Sequence, residues 1–348
     1  MSNRISVAVA GATGYAGIEL VRWLQQHPKV RVGVVSSQSY VGRPLSEVYP
    51  HLLPYTDQVC REQEIECLLE AEAIFLALPA GHAGAVAQAA VAAGRKVIDL
   101  GADLRLKEAE AYRRWYGLEP PAAEVLVQAV YGLPEINREQ IASASVVANP
   151  GCYPTGALLA LAPVVREGWI EPDSIVIDAK SGVTGAGRSL NLATLYCEVN
   201  EGLHPYQVGN HRHTPEIEQE LARLAGEEIK VTFVPHLVPM SRGILSTVYA
   251  RLKPGISLDQ VRALYAETYR DEPFVHLLPP GTWPHTRWVY GSNHCFLALG
   301  EDSRTGRLIL ASAIDNLVKG AAGQAIQNLN LMFGWEEGTG LETPPLYP

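Results

Sequence analysis

Cysteine, methionine and phenylalanine are scarce in this chain of 348 residues, with five Cys, three Met and five Phe. The cysteines stand at irregular positions, 60, 67, 152, 197 and 295, with no C-x-x-C pair. That spacing excludes a disulfide framework and a structural zinc ribbon, and it favours a cytoplasmic setting. Long apolar runs are also missing. The most apolar window, residues 73–94, is broken by Pro79, His82 and Gln88 and falls short of the ~18 residues that span a bilayer, so no membrane association is expected. The N-terminal MSNRISVAVAG lacks the basic and apolar regions of a secretory signal. Positive charge is in deficit too: 28 basic against 37 acidic residues leave a net charge of −9, and no Lys/Arg cluster stands out. Nucleic acid is therefore an unexpected partner.

What is present is an ordinary globular composition, 47% hydrophobic and 19% charged. The length exceeds the ~250–300 residues at which single cores stop growing, so two domains are expected. In the first half, β-branched runs at 5–10, 30–35, 73–78, 96–100 and 146–148 alternate with helical stretches at 15–27 and 84–93. This is the pattern of an α/β fold, a Rossmann-type doubly wound parallel sheet, over residues 1–150. Beyond it the strands come in succession, at 174–180, 230–234, 244–252 and 295–299, with one clear helix between them at 258–269. An α+β domain with a mostly antiparallel sheet is expected over 151–312. An amphipathic stretch at 315–333 predicts a helix that returns to the first domain, so that 313–348 completes it.

The loop GATGYAG, residues 11–17, joins the first strand to the first helix. Glycine there permits a tight turn and the close approach of a pyrophosphate, whose charge meets free amides at the helix start. Gly11, Thr13, Gly14, Tyr15 and Gly17 are the expected cofactor contacts. The G-x-x-G-x-x-G spacing differs from the usual dinucleotide fingerprint, and tight helix packing alone would also use glycines here. After the second strand the chain reads VVSSQSYVGR, residues 34–43, with no acidic residue to grip a ribose hydroxyl. Ser36, Ser37, Ser39 and Arg43 suit a 2′-phosphate instead, so NADP is expected over NAD. Ser37 and Arg43 are the expected contacts. The PAGHA turn, residues 79–83, places Pro79 at the end of an inner strand, where it would line the nicotinamide side.

The most informative segment is NPGCYPTG, residues 149–156, where a short strand stops and Cys152 precedes an apolar helix expected over 155–165. A thiol at a helix N-terminus meets the positive dipole end, which favours its thiolate. The other four cysteines lack this setting and read as packing residues. NPGCYPTG, SGVTGAGR (181–188), GNHRHTPEI (209–217), VPHLVPMSRGIL (234–245) and DNLVKGAAGQAIQNLNLMFG (315–334) together resemble the N-acetyl-γ-glutamyl-phosphate reductases of arginine biosynthesis, relatives of aspartate-semialdehyde dehydrogenase. The resemblance spans nearly the whole chain.

It implies NADPH-dependent reduction of an acyl phosphate to an aldehyde with loss of phosphate, through a thioester on Cys152. Two other readings stand beside it: the homologous aminoadipyl-phosphate reductase of lysine biosynthesis, one methylene longer in substrate, and a non-catalytic NADP-binding regulatory protein. His211 is the expected general acid/base, with His213 as second choice or substrate binder. In an extended chain only one of the two would face the thiol. No third ligand falls at a spacing that would make H-x-H a metal site, and no metal is expected. Arg105, in DLGADLR (99–105), and Arg188 are the expected cations for the substrate's carboxylate and phosphoryl group. Arg212 is a weaker candidate. Asn316 resembles the family asparagine that meets the nicotinamide amide, although a helix N-cap would also use it. The family further implies a homodimer or homotetramer.

Overall fold

Six short runs of the first half pair as parallel strands: β1 (Ile5–Ala10), β2 (Val30–Ser36), β3 (Ala73–Leu76), β4 (Lys96–Asp99), β5 (Ala129–Tyr131) and β6 (Val146–Ala148). Their order is β2-β1-β3-β4-β6-β5. Strands such as β1 and β3 are continuously apolar because helices cover both faces, and Val7 to Ala10 and Ala73 to Leu76 are all fully buried. The order reverses at β1, between β2 and β3, so the carboxyl ends of β1 and β3 form the topological switch point. Helix α1 (Tyr15–Leu24) leaves that point directly. This is a computed structural model, and it describes residues 4–347.

The second sheet has seven strands: β7 (Val176–Gly182), β8 (His204–Pro205), β9 (Thr232–Val238), β10 (Ile244–Arg251), β11 (Val275–Leu277), β12 (Cys295–Asp302) and β13 (Arg307–Ile314). They run in the order β11-β12-β13-β10-β7-β9-β8. Four of the six pairings are antiparallel, while β11/β12 and β7/β9 are parallel. Along β10, buried Ile244, Ser246, Val248 and Ala250 alternate with half-buried neighbours, the signature of a sheet covered on one face. The cover comes from α2 (Cys152–Arg166) and α4 (Leu258–Thr268), and α3 (Thr214–Ala225) packs on α2. Helices were expected at 155–165 and 258–269, and α3 starts at Thr214 within the GNHRHTPEI segment, whereas β13 went unseen because its alanine-rich second half lacks β-branched alternation.

Helix α2 is apolar on every side, with Tyr153 to Val165 all buried. Pro163 sits inside it and brings no N–H to the carbonyl four residues back. Tyr269 supplies the missing donor, its hydroxyl 2.6 Å from the Leu159 carbonyl. Tyr265 does the same for Ala160, and Ser312 donates to the Gly156 carbonyl at 2.9 Å.

The C-terminal stretch departs from the single amphipathic helix expected over 315–333. A π-helical turn, Val318–Ala322, precedes α5 (Gly323–Met332). The chain divides into two compact units, Met1–Gly151 with Ala321–Thr343 and Cys152–Gly320 with Pro344–Pro348, so the return to the first unit comes at Ala321 rather than 313. Nor does α5 show solvent a polar face: Gln324, Gln327, Asn328 and Asn330 are all fully buried. The amides of Asn328 and Asn330 replace water as partners for loop backbone, while Gln327 donates to the Glu337 carboxylate at 2.6 Å. Asn328 Nδ2 donates to the Gly132 carbonyl (2.9 Å) and to Asn149 Oδ1 (3.0 Å), and Asn330 Nδ2 donates to the carbonyls of Glu337 and Thr339.

Replacing Asn328 by Ala strands two buried acceptors, and the expected loss is about 2–4 kcal/mol, read as a lowered urea midpoint. A change below ~0.5 kcal/mol, typical of surface positions, would refute a structural role for this amide.

Candidate active site

The cofactor side lies in the first unit. Gly11 adopts φ +76°, and a Cβ there would stand 2.3 Å from the Ala77 carbonyl oxygen that follows β3. A Cβ on Gly17 would stand 2.2 Å from the Gly11 carbonyl. The loop can therefore close only with glycine at both places. Gly14 caps α1 without a side-chain acceptor, so the first turn presents amides rather than a satisfied cap. Thr13 and Ser37 meet hydroxyl to hydroxyl at 2.7 Å, and Tyr49 donates to the Thr13 carbonyl at 2.9 Å. Ser36 Oγ, at the carboxyl end of β2, is fully buried and makes no hydrogen bond within the protein. A glycine cradle, an uncapped helix start and an orphaned hydroxyl fit a dinucleotide phosphate and ribose.

Arg43 is exposed, lies over the Tyr40 ring at 5.7 Å and is 3.4 Å from Glu47, a pairing that solvent makes weak. The other nearby cation, Arg61, is held by Glu70 at 2.7 and 2.8 Å. Pro79 is exposed in a turn anchored by Asp103, whose two carboxylate oxygens accept the amides of Gly81 and Ala83 at 2.8 Å each. Tyr112 donates to the same carboxylate at 2.7 Å. This anchor comes from DLGADLR, but its role was hidden in sequence because the contact bridges two separate strand ends. Asp99 in the same segment is fully buried, and burial, then Asp103, raises its carboxyl to about 7. Arg105 is buried, donating Nε to the Asn149 carbonyl and Nη2 to the Leu100 carbonyl, both at 2.9 Å. It fastens the end of β6, which is a different task from the substrate contact expected of it.

Cys152, the expected nucleophile, lies in the second unit. Helix α2 begins at Cys152 itself, three residues before the expected start, and its thiol is partly exposed. Gly320, in the π-helical turn, packs directly on it: a Cβ on Gly320 would be 2.8 Å from Cys152 Cβ. Tyr153 is buried beside the thiol and stands edge-on to His211 (ring centroids 5.6 Å apart) and His213 (5.9 Å). Tyr206, carried in by the pairing of β8 with β9, donates to the Tyr153 hydroxyl at 3.1 Å and lies 5.4 Å from the His211 ring. Burial pushes Tyr206 up to about 12, and the Cys152 thiol adds in the same direction. Burial and Tyr206 raise Tyr153 further still, again with a contribution from Cys152. Both phenols stay protonated donors at neutral pH.

His211 and His213 do not face opposite ways. The Thr214 amide donates to the His211 carbonyl at 2.9 Å, closing a turn, and both rings flank Tyr153, 4.9 Å apart. Burial, then the charge of Arg212, lowers His211 to about 4. Its Nδ1 accepts the His213 amide at 3.1 Å, which assigns the proton of the neutral ring to Nε2. Among the described residues, no group of three His, Cys, Asp or Glu side chains is placed to hold a metal ion. Arg188 is exposed, in the segment that follows β7. Asn316 is buried, accepting the Gly243 amide at Oδ1 (2.8 Å) and donating from Nδ2 to Thr184 Oγ1 (2.9 Å). Both ends of its amide therefore tie protein loops together. The capping alternative falls to Asp315, whose Oδ1 accepts the Leu317 and Val318 amides.

Residues 6–144 match the family model described as semialdehyde dehydrogenase, NAD binding domain, and residues 152–316 match semialdehyde dehydrogenase, dimerisation domain. N-acetyl-gamma-glutamyl-phosphate reductase of Moorella thermoacetica is 56% identical over 99% of this chain and 100% of its own length. That of Pelotomaculum thermopropionicum is 53% identical over 99% of each. The chain belongs to the N-acetyl-γ-glutamyl-phosphate reductase family. In fold it is similar to aspartate semialdehyde dehydrogenase II from Vibrio cholerae (TM-score 0.72, 19% identity, 95% of this chain and 99% of that one). It is likewise similar to aspartate semialdehyde dehydrogenase with NADP from Candida albicans (TM-score 0.71, 18% identity, 95% and 98%). Among the described residues, no helix is long and apolar enough to cross a membrane.

Two measurements test the geometry around the thiol. Gly320→Ala must displace Cys152, and turnover should fall about 100-fold, with slower alkylation by iodoacetamide and unchanged affinity for the nicotinamide cofactor. Wild-type turnover in this variant would show that the packing does not set the nucleophile's position. Because His211 is lowered in the folded state, it contributes stability present above pH 6.5 and lost as pH falls through about 4. His211→Asn should therefore flatten the acid side of the stability profile in that window. An unchanged acid slope would contradict the buried neutral ring.

Proposed function

We propose that this chain reduces N-acetyl-L-glutamyl 5-phosphate to N-acetyl-L-glutamate 5-semialdehyde with release of phosphate, using NADPH, in arginine biosynthesis. The observation that carries the reading is Cys152 as the first residue of a buried helix, beside the Tyr153, Tyr206 and His211 cluster. Full-length identity to relatives of that name supports the substrate. The preference for the 2′-phosphate rests on Ser36 and Ser37 at the end of β2, with no carboxylate among residues 34–43.

The helix N-terminus stabilises the Cys152 thiolate, which attacks the acyl carbon. The carbon–sulfur bond forms, the acyl–oxygen bond to phosphate breaks, and a thioester remains on Cys152. Bound NADPH supplies the hydride that reduces the thioester carbonyl. The oxygen then carries negative charge, and it needs a donor in a dry site. His211 Nε2–H gives that oxygen a hydrogen bond and keeps its proton, so the acid/base role expected of it narrows to hydrogen-bond donation from this atom. The phenols of Tyr153 and Tyr206 keep the surroundings of the thiol uncharged. Collapse expels the Cys152 thiolate and frees the aldehyde.

The protein acts in the cytoplasm as a homodimer or homotetramer. The matched dimerisation domain supports self-association, as do the exposed apolar side chains Leu190, Leu192, Tyr196 and Leu203 along one segment of the second unit.

The reaction is tested in reverse, with N-acetylglutamate semialdehyde, phosphate and NADP, by the appearance of NADPH absorbance. A phosphate-dependent signal is expected, and Cys152→Ser should abolish it while NADP binding stays near the wild-type value. No signal with either this aldehyde or its aminoadipate homologue would end the enzymatic reading. Retained turnover in Cys152→Ser would remove the thiol from the mechanism.

A further inference from the structure

Of the two cations expected to meet the substrate's anions, Arg105 donates to the backbone at Asn149 and Leu100 and Arg188 lies exposed after β7. A different cation is linked through Asp315 to Gly320, the residue packed on Cys152. Arg242 lies in the turn between β9 and β10, and that turn is fixed on all sides. Val183 and Thr184 amides donate to the carbonyls of Met240 (2.9 Å) and Ser241 (3.2 Å), and the Gly182 amide donates to Gly243 (2.9 Å). Gly243, at φ +108°, returns its own amide to Asn316 Oδ1. A Cβ on Gly182 would stand 2.8 Å from the Arg242 amide nitrogen, so the two loops close only because residue 182 is glycine.

The guanidinium is oriented as well as its backbone. Arg242 Nη1 is 3.7 Å from Asp315 Oδ2, and its plane lies 6.0 Å over the Tyr290 ring. Asp315 is fully buried, whereas the Arg242 side chain keeps 22% of its surface exposed. Asp315 also leads back to the thiol. Its carbonyl accepts the Gly320 amide at 2.9 Å, and Gly320 is the residue packed on Cys152. Thiol, π-helical turn, buried aspartate and arginine thus form one connected arrangement inside the second unit.

We propose that Arg242 binds the α-carboxylate of the acyl amino-acid substrate, a role that rests on the reaction proposed above. A guanidinium fork matches a carboxylate in plane and takes it bidentately. Asp315 alongside offsets the local positive charge, which disfavours the two negative charges of a phosphoryl group more than the single charge of a carboxylate. Phosphate therefore binds elsewhere, and Arg242 sets the requirement for an amino-acid substrate rather than a simple acyl phosphate.

The reverse reaction separates the two anions because aldehyde and phosphate are varied independently. In Arg242→Lys and Arg242→Gln the KM for N-acetylglutamate semialdehyde should rise about 10- to 100-fold, with the phosphate KM within about threefold of wild type. A second readout uses 4-acetamidobutanal, the same aldehyde without its carboxylate. Wild type should prefer the carboxylated aldehyde strongly, and Arg242→Gln should lose most of that preference. A merely structural arginine would lower both activities in proportion. An unchanged preference, or a rise confined to the phosphate KM, would overturn the assignment. A wild-type enzyme inactive on both aldehydes would instead refute the underlying reaction.

Discussion

A helix buried on every side can hold a nucleophile only if its backbone is satisfied without water, and the second unit is arranged around that requirement. Pro163 would leave the Leu159 carbonyl without a donor in the middle of α2, where an unpaired acceptor costs roughly 1–3 kcal/mol. Tyr269 meets it from α4, and Tyr265 and Ser312 bind two further carbonyls of the same helix. These bonds fix α2 in rotation against the sheet as well as in depth. Cys152 inherits that placement, since it is the first residue of the helix and has no freedom that the helix lacks. The positive end of the helix dipole falls at the same residue, which is the scaffold's own contribution to a thiolate there in the proposed reaction.

Electrostatics around the thiol follow from one rule, that buried groups avoid charge unless they are paired. His211 is neutral because burial and Arg212 oppose an imidazolium, and its Nδ1 already accepts a backbone amide. Tyr153 and Tyr206 are neutral because burial and the thiol oppose a phenolate. In the proposed reaction Cys152 is the member of this cluster that carries negative charge, so nucleophile and donors are distinguished by environment rather than by residue type alone.

Much of this was legible locally. The strands of the first sheet, GATGYAG at their switch point and the thiol at the head of an apolar helix all depend on neighbours in sequence, and the structure places them within a few residues of expectation. What was hidden depends on distant pairings. Tyr206 reaches the thiol through the pairing of His204 and Pro205 with β9, and nothing within residues 200–210 announces it. Gly320 looks like any helical glycine until the π-helical turn is seen against Cys152. Asp103 goes unremarked in the sequence and Arg105 reads as a ligand group, yet each satisfies backbone that the sheet leaves open. Helix α5 misled for a related reason. Its amides follow the spacing of a solvent-exposed face, and periodicity cannot distinguish a polar stripe facing water from one facing loop carbonyls.

The buried polar groups of the first unit fall into two sets, and the division itself is informative. Asn149, Asn328, Asn330 and Asp103 have partners within the protein and hold its loops. Ser36 Oγ, Asp99 Oδ2 and both amide atoms of Gln324 make no hydrogen bond within it. Leaving such groups unsatisfied is costly enough that water or a ligand must complete them. Ser36 and Asp99 stand at the carboxyl ends of β2 and β4, the edge of a parallel sheet where ligands bind. A molecule that hydrogen-bonds there both gains affinity and removes a defect, so its binding stabilises the first unit by mass action.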